Sequence, residues 1–163
     1  MTMILKLAAA SAALLTGSAI AQTEALRLSD GSVQAILSGC HAFAEENDIT
    51  VAIAVLDDRL TLSGYRRMDG LRQGPAELAM AKADYSARWG SETKGLSDAV
   101  GEGRYGWAFA TGSPPVEGGV PIYSEGGTLL GAVGVSGASA ADDARCAKAG
   151  IEQAGLSAQR PER

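Results

Sequence analysis

Val51-Ala52-Ile53-Ala54-Val55-Leu56-Asp57 is an apolar run closed by an acid, and its reading fixes how the rest of the chain is arranged. The run has the length of a strand and is too short for a typical helix. With no polar face, it belongs in the middle of a sheet, covered on both sides. Asp57-Asp58-Arg59 then turns the chain. Leu60 to Met68 alternates better, with Leu60 and Leu62 on one face, as a half-buried strand does. So short a connection leaves no room for a crossover, so the two strands are antiparallel neighbours.

Upstream, Ser29 has the chemistry of a helix N-cap, and Val33, Ile36, Leu37, Cys40 and Ala44 recur at helical spacing up to Glu46-Asn47-Asp48. Downstream, Gly74-Pro75 opens a second helix running to Trp89, rich in alanine and so able to pack closely. A weaker helix is expected around Thr93 to Val100, and Tyr105 to Ala110 reads as a short strand. Val120 to Tyr123 and Leu129 to Val135 flank Gly126-Gly127 as a hairpin. Ser139, with Asp142 three residues on, starts a last helix through Ile151. The order αββααβββα does not alternate strand and helix throughout. It predicts an α+β fold with a five-stranded antiparallel sheet flanked by helices.

The first residues read as an address rather than as fold. Lys6 follows a short start, Leu7 to Leu15 is apolar but too short to anchor in a bilayer, and Ala19-Ile20-Ala21 is a small-residue cleavage signal. Residues 1–21 are therefore expected to be a cleaved secretory signal peptide and residues 22–163 a single domain, periplasmic or secreted, without membrane attachment after cleavage. At 163 residues with 46% hydrophobic content the chain can fill one core. A net charge of −5 with no basic block disfavours nucleic acid as a partner. One histidine and two cysteines cannot build a closed zinc cage, so no metal site is expected. Export permits a disulfide between Cys40 and Cys146, which would tie the first helix to the last; two buried thiols are the alternative.

Gly131-Ala132-Val133-Gly134-Val135-Ser136-Gly137 looks like a phosphate loop, but its first two glycines fall inside a strand, where close packing explains them better. Ser136-Gly137 precedes the last helix, whose free N–H groups can receive an anion. Lys82 is the oddest charge: its helical neighbours are Leu78, Tyr85 and Ser86, so it either snorkels outward or meets a carboxylate. Arg67, Asp69, Lys82 and Glu117, with Gly118 and Gly119 in the tight loop before Val120, would together line a polar pocket for a carboxylate-bearing ligand, with apolar walls from Met68, Leu78 and Tyr85. Structural ion pairs are the competing explanation. No nucleophile–base pair has a recognisable spacing, so no catalytic residue is assigned.

Five stretches in register resemble one family: Val51 to Asp57, Arg67-Met68-Asp69-Gly70, Ala79 to Ala83 (AMAKA), Gly118 to Ile122 (GGVPI), and Gly131 to Gly137 with Asp143 and Ala149-Gly150. Their order and approximate spacing are similar to the GlcG/HbpS-like haem-binding family, also found as the C-terminal domain of PduO-type proteins. The resemblance covers nearly the whole mature chain. It implies an antiparallel sheet flanked by helices, assembly into homo-oligomers, and haem as cofactor in some members, with secreted members linked to haem sensing and iron-dependent protection. Cys40 and Cys146 stand at what look like small or apolar core positions of the family's helices, which favours the disulfide. Asp58-Arg59-Leu60 departs from the glycines usual at the family's first hairpin. His41 is the sole imidazole and hence the candidate haem ligand, while Tyr65, Tyr85, Met68 and Met80 are other side chains able to reach an iron. The expectation is a non-enzymatic binding protein for haem or another small carboxylate-bearing molecule. The alternatives are an enzyme using Asp69 or Glu117 beside Lys82 on a small oxo- or hydroxy-acid, and an oligomeric partner of a sensor or dehydrogenase.

Overall fold

The VAIAVLD run does become the inside of a sheet. A computed structural model describes residues 25–162; the expected signal peptide, residues 1–21, lies outside them. Strand β1 (Ala52–Asp57) pairs antiparallel with β2 (Leu62–Arg67) on one side and with β4 (Leu129–Ser136) on the other. β3 (Gly119–Tyr123) closes the far edge in the order β2-β1-β4-β3. The helices are α1 (Asp30–Glu46), α2 (Gln73–Trp89), α3 (Thr93–Gly101), α4 (Gly106–Thr111) and α5 (Ala140–Gln153).

The expected five-stranded sheet in the order αββααβββα is therefore corrected to four strands and five helices in the order αββαααββα. The error is local. Tyr105 to Ala110 is not a strand but the short helix α4, held by Phe109 N–H to Tyr105 C=O and closed by Gly112 in the left-handed conformation. A strand there would need a partner. The free edge of β3 is instead engaged at Gly119 by the Thr93 hydroxyl and at Tyr123 by the backbone of Ser157. The apolar residues of this segment do not record burial at all, since none of the α4 residues is buried.

The two faces of the sheet carry different cores. Ile53, Val55, Val120, Ile122, Val133 and Val135 point at α1 and α5, meeting Val33, Ile36, Leu37, Ala147 and Ile151. Ala52, Ala54 and Ala132 point at α2 and meet Ala76, Ala79, Ala83 and Ala87. Small side chains on both sides bring α2 almost onto the strands. At Gly134 a Cβ would run into the backbone of Ala79 and Ala83, so the packing explanation of the GAVGVSG glycines holds. Cys40 and Cys146 form the disulfide, joining α1 to α5 with their Cα atoms 4.6 Å apart. Ser29 caps α1 and Ser139 caps α5, accepting from the N–H of Ser32 and Asp142.

Candidate functional site

The residues expected to share one pocket separate into two neighbourhoods. At the end of β2, Arg66, Arg67, Met68 and Asp69 meet His41 of α1 around an open hollow of about 400 Å³. Alternation along β2 sends the two arginines to opposite faces: Arg66 pairs across with Ile53 on the α1 side, Arg67 with Ala52 on the α2 side. The strand then ends, and both arginines line the same hollow with Met68 and Asp69. Asp69 also borders a second hollow with Thr50, Gly70, Leu71, Arg72, Pro75 and Gly137.

His41 is the hinge of this site. Its Nε2 lies 3.4 Å from Glu45 Oε1 one turn on, and its side chain keeps 30% of its surface exposed. Its Nδ1 is buried without a hydrogen-bond partner. Among the described residues neither Arg66 nor Arg67 has a carboxylate within ion-pairing distance, whereas Arg88, Arg104 and Arg145 each do. Two arginines without an ion-paired carboxylate, a thioether, an imidazole and the single carboxylate of Asp69 thus line one concavity with a cationic excess, a set suited to a flat molecule with anionic substituents.

Lys82 lies elsewhere. Its ammonium is fully buried, donating to Asp143 Oδ2 and to the Val135 carbonyl, each at 2.9 Å. Of the two outcomes read from sequence, it meets a carboxylate. Asp143 sits in the first turn of α5, where its other oxygen accepts from the Ala138 N–H at 3.0 Å. The anion received before this helix is the chain's own. Burial raises the Asp143 carboxyl above its usual range, against the Lys82 ammonium and the Ala138 and Gly137 N–H groups, which pull it down.

Gly118 and Gly119 belong to this interior. A Cβ on Gly118 would come within 2.7 Å of Lys82 Nζ, and one on Gly119 would meet the Lys82 carbonyl and, at 2.7 Å, Ser86 Oγ. Gly119 N–H donates to Thr93 Oγ1 at 2.9 Å. Glu117 is partly buried in the preceding loop. It acts on Lys94, whose ammonium is raised chiefly by its hydrogen bond to Asp98, with a smaller push from Glu117. Tyr85 lines a different hollow with Leu96, Ala99 and Trp107. Single-sequence reading did not pair Asp143 with Lys82, although its place one residue after the capping Asp142 was the available signal. It also gave Arg66 no role beside Arg67, which alternation along β2 had set on the opposite face.

Comparison with known proteins places the chain in a family and a fold. Residues 28–152 match the family described as haem degrading protein HbpS-like. Protein GlcG of Escherichia coli strain K12 is 38% identical over 109 residues, 67% of this chain and 81% of that protein. In fold, the chain is similar to a PduOC:heme complex, with TM-score 0.75 and 24% identity over 81% of this chain and 98% of that one. It is likewise similar to HbpS, with TM-score 0.72 and 24% identity over 80% and 92%.

Proposed function

The chain belongs to the HbpS-like family, and from that premise we propose that it is an exported, non-enzymatic haem-binding protein whose ligand sits against His41, Arg66, Arg67, Met68 and Asp69. The observation that carries this reading is the pair of guanidiniums without carboxylate partners beside the half-exposed imidazole. Haem presents two carboxylates, an apolar ring and an iron, which call for cations, an apolar contact and a nitrogen or sulfur donor respectively. Arg66 and Arg67 supply the first, Met68 the second, and His41 the third. Bound there, haem would supply an iron centre open to small ligands and redox change. For haem as the ligand, though not for the absence of catalysis, support also comes from the family's description and from the haem complex of a protein with this fold.

In this reading Lys82, Asp143, Gly118 and Gly119 fix the end of the sheet, and Glu117 orders the loop beside them. An acid–base pair of Asp69 or Glu117 with Lys82 is not assembled within one chain, because the Lys82 ammonium has no exposed surface. Among the described residues no helix is long and apolar enough to cross a membrane. The disulfide accords with an oxidising compartment. A role in haem sensing or protection outside the cytoplasm follows as part of the proposal.

Hemin titration of the chain beginning at Gln22 tests it. We expect a saturable change in the Soret band with 1:1 stoichiometry. Arg66→Ala with Arg67→Ala should weaken binding about tenfold or more, the loss of one or two charge-assisted contacts. Absence of saturation, or affinity indifferent to both arginines, removes the proposal.

A further inference from the structure

The two edges of the sheet end differently. The β3 edge is closed at both ends: Gly119 N–H donates to Thr93 Oγ1, and Tyr123 and Ser157 exchange backbone hydrogen bonds of 2.8 and 3.0 Å. Among the described residues no element pairs with the outer edge of β2. The hydrogen-bond phase of that edge can be read. Met68 N–H donates to the Val51 carbonyl at 3.1 Å, and the register continues as Ala52↔Arg67, Ile53↔Arg66 and Ala54↔Tyr65. Bonded and non-bonded pairs alternate along an antiparallel ladder, so Arg66 bonds to β1 while the N–H and C=O of Tyr65 and Arg67 point outward. The side chains of these two residues share the α2 face with Leu62, which pairs with Leu56. Leu62 is 50% exposed and Tyr65 40%.

We propose that this edge takes an extended, acidic segment of another protein as an added strand. Main-chain hydrogen bonds to Tyr65 and Arg67 supply the affinity, and side chains at alternate positions of the segment supply the selectivity. Opposite Arg67 the register calls for an acid; opposite Tyr65, two positions away on the same face, it calls for a β-branched or aromatic residue. Leu62 continues the apolar part. Charge complementarity selects the acid. Neither Arg66 nor Arg67 is held in an ion pair among the described residues, and they form a cationic end on a chain of net charge −5. A second β2 edge would instead bring two more arginines against these. Arg67 also borders the hollow assigned to haem, but Leu62 and Tyr65 lie outside it, and pairing along their backbone needs no haem. The inference therefore does not rest on the haem reading.

Titration of the haem-free chain beginning at Gln22 with the end-capped peptide Thr-Glu-Glu-Val-Thr-Leu tests it, with amide hydrogen exchange followed residue by residue. In the free protein the Tyr65 and Arg67 amides should exchange fast and the Arg66 amide slowly. Saturating peptide should slow exchange at Tyr65 and Arg67 at least about tenfold and leave Arg66 as it was. A peptide with lysine in place of both glutamates should bind at least about tenfold more weakly, through loss of the charge-assisted contacts. Tyr65→Pro removes an outward N–H and no bond to β1, so it should abolish binding. N-methylation of the peptide's valine should do the same with the protein untouched. Absence of saturable binding, binding that leaves exchange at Tyr65 and Arg67 unchanged, or equal binding of the lysine peptide overturns the proposal. So does protection of these two amides that grows with the protein's own concentration, since the edge then belongs to a second copy.

Discussion

Lys82 shows how a single residue can be conspicuous in sequence while its purpose is not. A lysine on an alanine-rich helical face had to find a carboxylate or escape to solvent. The choice among the chain's acids depends on how β4 and α5 bring Asp143 back from 61 residues away, which no local pattern encodes. The pair costs desolvation on both sides, so it marks specificity of packing more than net stability. Lys82→Ala should destabilise the fold by about 3–5 kcal/mol, because the Asp143 carboxylate is left buried and unpaired. Lys82→Met combined with Asp143→Leu should recover most of that loss in urea unfolding. A double variant as unstable as the single one would show that the ion pair, rather than the penalty for breaking it, holds the end of the sheet.

At the scale of elements, legibility followed burial. β1 is buried on both faces and was read from its unbroken apolar run; α1, α2 and α5 were read from apolar spacing and end residues that the structure repeats. α4 was misread because its aromatic residues face outward, so their pattern carries no information about a core. The cysteines lay between these cases. Both fell on apolar positions of helices, yet only the packing of α1 against α5 brings them within bonding distance. With 106 residues between the cysteines, the bridge should stabilise by roughly 4–5 kcal/mol in the loop-entropy treatment. Cys40→Ala with Cys146→Ala should lower Tm by roughly 8–20 °C, measured by calorimetry. An unchanged Tm would mean that α1 and α5 are held by their apolar contacts alone.

On the scale of the whole molecule, the site lies where a strand ends, beyond the reach of its own register. Arg67, Asp69 and His41 were legible as chemistry-bearing residues, and Arg67 and Asp69 also by their shared turn. That His41 joins them is a consequence of α1 packing against β2, and that Lys82 does not is a consequence of α2 lying so close to the sheet; Glu117 stays with the loop that leads into β3. The alanines that allow this approach also bury the lysine. Ligand binding is therefore concentrated where β2 ends against α1, apart from the buried Lys82–Asp143 pair.

The most direct check on the central claim is low-temperature magnetic circular dichroism of the ferric haem complex, compared between the parent and His41→Ala. The account predicts a nitrogen-ligand signature in the parent that is lost in the variant and restored by added imidazole. The same spectrum from both proteins would place the iron away from His41 and contradict it.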